Sequence, residues 1–253
     1  MMKFLRRSRP QDAGPDRPAA GLPAPSWDFH SHLLPAVDDG LRSLEETKAA
    51  ITGLKALGYR GAVLTPHIYP GVYDNTPAQL RESFRQLQQA LDDNFTLRLA
   101  AEYFADENIL ERISRDGVLS LELAHHKIVL MEFPALMPAP GGMDALLQLR
   151  QAGYQPVLAH VERYRYVQAE EKLWLSRLER SGVWLQCDIG SLVGQFGSQP
   201  QAFARTLLAR GLPVVWGTDL HRVEQIARYV QPGLAMLKKS GHQINAVLEE
   251  LAS

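Results

Sequence analysis

The sequence predicts an α/β protein assembled from parallel βαβ units, and three observations predict it. Seven short runs of strand character alternate with helix-length stretches from about residue 26 onward. One of these runs, Ile128–Met131, is apolar throughout, as a strand covered on both faces should be. The length of 253 residues, 45% of them apolar, suits one α/β domain. A closed barrel and an open doubly wound sheet both satisfy this count.

The elements follow in order. Residues 1–25 are rich in Pro, Ala, Gly and Arg and read as a flexible basic tail, which leaves 26–253 for the folded domain. Trp27–His30 is the first strand. Ser43-Leu-Glu-Glu46 has capping-box spacing and opens a helix to about Leu57, where Gly58 ends it. Gly61–Leu64 is the second strand. Thr76-Pro77 starts a helix to about Leu91, with proline at the tolerated first position. Phe95–Ala100, Ile128–Met131, Pro156–Ala159, Val183–Gln186 and Pro213–Trp216 supply the remaining strands. Helices are expected over about 143–151, 170–180, 200–210, 222–238 and 242–252.

Composition excludes several classes of function. The formal net charge is −1, which argues against a broad nucleic-acid surface. Cys187 is the single cysteine, so no disulfide can form within the chain, and a reducing, cytoplasmic setting is expected. No apolar run approaches the ~18 residues of a membrane span. The basic start has no apolar segment after it and is not a secretory signal. Neither a GxGxxG nor a Walker sequence occurs.

The chemistry-bearing residues cluster by position. His30 and His32 end the first strand. His67 lies just past the second and Glu102 just past the third. Glu132 ends the fourth, His160 ends the fifth, and Asp219 and His221 follow the seventh. In α/β barrels the C-terminal ends of the strands carry the active site. A lone histidine at a strand end is ordinarily structural, and a buried Glu132 needs a partner. The recurrence from strand to strand points instead to a multinuclear metal site. Residues two apart on a strand face one side, so His30 and His32 can share an ion while Ser31 turns away. His125 and His126 precede the fourth strand, at the wrong end, and read as surface residues, as does His242 in the last helix. Arg163 and Arg222 each follow a candidate ligand closely, and a guanidinium matches phosphate oxygens. Tyr69 and Tyr73, after His67, can line a slot for an aromatic substrate or pack structurally.

The segments DFHSHLLPAVDDG, TPHIYPGVYDN, AEYF, LMEF, PVLAHVERYRY, GSLVGQFG and GTDLH, taken together, resemble the polymerase-and-histidinol-phosphatase (PHP) superfamily. Within it they resemble the bacterial manganese-dependent protein-tyrosine phosphatases of capsule and exopolysaccharide operons. The resemblance implies a distorted seven-stranded, TIM-like βα barrel holding three divalent metal ions, manganese first, with iron or zinc as alternatives. Its ligands fall on His30, His32, Asp39, His67, Glu102, Glu132, His160, Asp219 and His221, and Arg163 and Arg222 match arginines that hold phosphate. Asp38 is then a supporting or turn residue. The implied substrate is phosphotyrosine in the tail of a membrane tyrosine kinase. Asp39, Glu102, Glu132 and Asp219 carry −4, so three divalent ions and a hydroxide leave about +1, which suits an anionic substrate. Three positions depart from the family pattern: Val161 stands for proline, Leu220 for a small residue and Cys187 for asparagine.

Two other readings remain. A small phosphomonoester such as histidinol phosphate suits the same metals, since a fold does not choose its substrate. A non-catalytic, kinase-binding regulator would belong to another class, and a complete ligand set argues against it. A cysteine-based phosphatase is excluded on spacing, because Val193 stands where an arginine is needed after Cys187.

Overall fold

The computed structural model describes residues 27–92, 94–123, 125–138, 140–210 and 214–240. The expected tail over 1–25, the start of the seventh strand at Pro213 and the last helix with His242 lie outside the described residues.

Strand β1 (Trp27–Ser31) leads to helix α1 (Leu44–Ala56) and strand β2 (Gly61–Leu64). Ser43 caps α1 by accepting the Glu46 N–H, but Glu46 accepts the Arg42 N–H, so only half of the expected box forms. Strand β3 (His67–Ile68) and helix α2 (Pro77–Ala90) follow, and here Thr76 and Gln79 complete a full capping box. Next come β4 (Thr96–Leu99), β5 (Glu102–Phe104), α3 (Ile109–Asp116) and β6 (Leu121–Leu123). They are followed by β7 (His126–Glu132), α4 (Gly142–Gln151), β8 (Gln155–Leu158), α5 (Arg165–Ala169) and α6 (Glu171–Ser181). Strand β9 (Trp184–Asp188), α7 (Ser198–Ala209), β10 (Val214–Gly217) and α8 (Gln231–Lys239) complete the described chain. The helix expected from residue 222 begins instead with a wide turn over Ile226–Val230.

The order β1-β2-β4 forms one sheet, and β10-β9-β8-β7-β5-β3 forms a second, with β6 added antiparallel to β7. The two are parts of one ring. β2 runs into β3 and β4 into β5 across paired kinks, where Pro66 has no N–H to give and its carbonyl accepts the Glu102 N–H. β1 meets the end of β10 through a parallel bridge, Ser31 to Leu220. The Asp219 N–H donates to the His30 carbonyl at 2.8 Å and the His32 N–H to the Leu220 carbonyl at 3.1 Å. The result is a distorted seven-stranded parallel barrel, which decides between the barrel and the open sheet.

Apolar side chains fill the barrel where the strands begin. Trp27, Phe29, Val63, Leu130, Val157, Trp184 and Val215 belong to one buried cluster, separate from the larger core between strands and helices. Along β1 the pairing slips: Asp28 faces Ala62 but Ser31 faces Leu64, so β1 holds one extra residue. That bulge lets Phe29 join the apolar filling while its neighbour His30 also turns inward.

Candidate metal centre

All nine expected ligand positions converge on the C-terminal mouth of the barrel, at unequal depths. His30, His32, Glu102 and Asp219 form the deepest group and are almost wholly buried. His30 Nε2 lies 3.1 Å from His32 Nε2, 3.2 Å from Glu102 Oε2 and 3.3 Å from Asp219 Oδ1. His67, Glu102 and Glu132 form a second group. Parallel register sets it up, since His67 on β3 pairs with Glu102 on β5, and Phe104 on β5 pairs with Glu132 on β7. Asp39, His67 and His221, with His32 beside them, form a third group at the rim. His160 stands apart from these groups: its Nε2 approaches Glu102 Oε1 at 2.8 Å.

These groups fit divalent ions. Donors about 2.0–2.2 Å from one ion lie roughly 2.8–3.6 Å from each other, from octahedral to tetrahedral geometry, and those of the deepest group do so. His67 Nδ1 and Glu132 Oε1 are 3.0 Å apart yet form no hydrogen bond, so two buried polar atoms face each other unsatisfied. His160 Nδ1 is likewise buried without a partner. Such orphans are costly unless a ligand meets them.

Neighbours set the rings. Asp38 Oδ2 accepts from His32 Nδ1 at 2.8 Å and from the His67 N–H at 2.9 Å, which leaves His32 Nε2 for the deepest group. Asp39, one residue on, points into the rim group instead. Gly40 makes this turn possible, because a Cβ there would lie 2.4 Å from the His32 carbonyl oxygen. His221 Nδ1 donates to the Asp219 carbonyl at 2.9 Å, so its Nε2 faces Asp39. His160 and Asp219 both hold left-handed backbone, at φ 29° and 48°, a strain typical of working sites.

Charge follows the packing. Burial opposes protonation of His30, but Glu102 and Asp219 outweigh it and lift its pKa to about 9. Burial also opposes ionisation of Glu102, yet the imidazoles of His30, His67 and His160 hold it well below the usual carboxylate range. Glu132 goes the other way, raised by burial and by the charge of Glu102. His160 is pushed down to about 4 by burial and by the Arg163 cation.

The arginines differ. Arg163 Nη1 donates to Asp219 Oδ2 at 2.7 Å, and its guanidinium lies 4.3 Å over the Phe196 ring. Arg222 Nη1 donates to the carbonyls of Asp39, Gly40 and His221, tying two rim loops together. Tyr73 stacks on His67 at 5.1 Å and Tyr69 stacks on Phe104 at 4.1 Å, both on the loop after β3. His125 is exposed and His126 packs edge-on against Trp184, where the strands begin. Val161, Leu220 and Cys187, the departures from the family pattern, are all wholly buried.

Sequence reasoning missed Phe196, Gln186, Asp188 and Glu162. Glu162 Oε1 accepts from Ser191 Oγ and from the Asp188 N–H, joining the turn after β8 to the turn after β9. A visible signal existed in β9: Gln186 and Asp188 alternate with apolar residues on a strand buried along most of its length.

A βα barrel whose strand ends gather imidazoles and carboxylates in this way has the architecture of the barrel metal hydrolases. Residues 26–249 match the model of the capsular polysaccharide synthesis family CpsB/CapC, and the chain belongs to that family. The tyrosine-protein phosphatase YwqE of Bacillus subtilis is 33% identical over 233 residues, covering 89% of each chain. The tyrosine-protein phosphatase CpsB of Streptococcus pneumoniae is 26% identical, covering 84% of this chain and 89% of its own. A chain from the crystal structures of YwqE and CpsB, described as unique metal-dependent tyrosine phosphatases, superposes with a TM-score of 0.75 at 28% identity. That match covers 89% of this chain and 91% of the other. A histidinol phosphate phosphatase from Lactococcus lactis, with a TM-score of 0.55 at 17% identity over 86% of this chain and 94% of its own, shares the fold.

Proposed function

We propose that this chain is a metal-dependent protein-tyrosine phosphatase holding three divalent ions, manganese foremost. Its substrate is phosphotyrosine in the tail of a membrane tyrosine kinase that controls capsular or exopolysaccharide synthesis, and it acts in the cytoplasm. The observation that carries this reading is the sharing of Glu102 and His67 between adjoining donor groups, beside Arg163. Adjoining ions acting on one phosphoryl group are what phosphoester hydrolysis uses. The names of the relatives support the substrate. Imidazole with carboxylate and no thiolate suits Mn, Fe or Zn. Among the described residues, no helix is long and apolar enough to cross a membrane.

The chemistry supplied by such ions is activation of water and neutralisation of phosphoryl charge. His30, His32, Glu102 and Asp219 would hold one ion. Glu132 and His67 would serve a second, and Asp39 and His221 a third. His160 completes the set from beside Glu102. Arg163 is kept in place by Asp219 and Phe196 and turns its other N–H groups to the phosphoryl oxygens. Arg222, anchored through Nη1, meets the same group from the rim. Tyr73 and Tyr69 wall the slot for the tyrosine ring.

The test is a side-by-side assay of manganese-loaded protein on a phosphotyrosine peptide and on histidinol phosphate, with elemental analysis of the same sample. The expected result is a higher kcat/KM on the peptide and three ions per chain. A preference for histidinol phosphate would move the assignment to small phosphomonoesters. Metal-free protein inactive with every ion would make it a non-catalytic, kinase-binding regulator.

A further inference from the structure

We propose that Gln186 is the positioning residue of the deepest donor group: it presents His30 through Nε2, holds the strained His160 turn, and links both to Arg163 through Asp188. The inference rests on the metal-binding half of the function proposed above and not on its substrate.

Gln186 lies on β9 with no exposed surface. Its Oε1 is 2.6 Å from the backbone nitrogen of His160 and 3.2 Å from His30 Nδ1. A backbone N–H can only donate, so the atom facing it must be the amide oxygen. At the other end, Nε2 donates to Asp188 Oδ1 at 2.9 Å. Flipping the amide would set two donors face to face at His160. With the oxygen fixed, His30 Nδ1 must carry the proton. The other nitrogen, Nε2, faces His32 Nε2, Glu102 Oε2 and Asp219 Oδ1 and is the one left for an ion. One amide therefore sets which ring nitrogen His30 offers.

The same oxygen restrains His160, whose φ of 29° an L-residue adopts only when its surroundings impose it. Asp188, the acceptor for Nε2, is itself buried, and its Oδ2 lies 3.5 Å from Arg163 Nη1. A chain of buried polar contacts thus runs from His30 through Gln186 and Asp188 to Arg163. Gly217 on β10 leaves room for it, because a Cβ there would lie 2.6 Å from His30 Cβ and 3.1 Å from Gln186 Nε2. The pattern in β9 is consistent with this role. Gln186 and Asp188 are two residues apart and share one side of the strand, and Cys187 between them packs into the outer core.

The experiment uses the full chain loaded with zinc, which is diamagnetic and permits 15N spectra of the histidine rings. The expected spectrum has His30 coordinated at Nε2 with a proton on Nδ1. Coordination through Nδ1 would overturn the inference in the unmodified protein, whether or not any variant folds. Gln186→Leu is one atom shorter and removes the acceptor, and it should weaken zinc binding by about 10–100-fold in a competition titration. Gln186→Glu keeps an acceptor facing His30 and His160 but sets a second carboxylate against Asp188, so its affinity should fall less than that of Gln186→Leu. Equal affinity in the parent and Gln186→Leu, or equal losses in both variants, would also overturn it. Protein that takes up no zinc sinks the metal reading and this inference together. Protein that takes up zinc as expected but prefers a phosphate other than phosphotyrosine sinks only the substrate assignment and leaves Gln186 in its role.

Discussion

The two ends of the barrel interior are equally buried and opposite in character. Where the strands begin, Trp27, Phe29, Leu130, Val157 and Trp184 interlock as an apolar plug. Where they end, His30, His32, Glu102 and Asp219 are as deeply enclosed but crowd polar atoms at 3.1–3.3 Å. Backbone strain divides the same way. Among the described residues, the non-glycine residues with left-handed φ are Ala36, His160 and Asp219, all at the mouth. Buried carboxylates beside one another and strained turns are unfavourable alone, so the mouth leans on the plug for its rigidity, and bound ions would offset its crowded charge.

The sharpest break in this contrast is Glu102→Gln. Glu102 serves two donor groups, and its Oε1 lies 2.8 Å from His160 Nε2. Turnover should fall by more than about a hundredfold, measured as kcat on a phosphotyrosine peptide, with the circular dichroism spectrum unchanged. Leu130→Ala is the converse test. It opens a cavity in the plug and should cost about 2–5 kcal/mol in denaturant unfolding, with the metal content of the folded fraction unaltered. Loss of metal content there would show that the two ends are not separable.

Chelation comes next in size. An ion at a hundred times its Kd contributes about 2.7 kcal/mol, and for a chain of this size each kcal/mol shifts Tm by about 2–4 °C. Losing one such ion should therefore lower Tm by roughly 5–11 °C; stripping all of them should lower it by at least that much and abolish turnover, with both restored by added manganese. An unchanged Tm would mean that the mouth is stable without ions. The smallest effect is expected from Cys187→Ser. This thiol is free and wholly buried, and burial together with the nearby Glu162 pushes its pKa up, the reverse of a nucleophile's setting. Turnover should stay within about twofold, at a stability cost of about 1–3 kcal/mol for burying a hydroxyl.

Much of this was legible in the sequence because period and position report local physics. The seven strand segments fall where the apolar runs predict them, within a residue or two, and the cap signals at Ser43 and Thr76 open α1 and α2. Short elements were not legible. Helix α3, with two buried isoleucines over eight residues, is too short to show a period. The third strand reads as continuous over Phe95–Ala100, and nothing local says that the ladder kinks and resumes at Glu102.

The sequence by itself determined that imidazoles and carboxylates stand at one strand end after another, since each position follows from its own run of residues. Tertiary structure decided which of them meet. The bulge in β1 turns His30 inward beside Phe29, and Gly40 lets the loop fold back so that Asp38 braces rings while Asp39 enters the rim group. Contacts across 156 positions, such as His30 to Gln186, depend on closure of the ring between β1 and β10. No local pattern carries that information, because the partner of a buried polar atom is chosen by whichever distant strand packs against it.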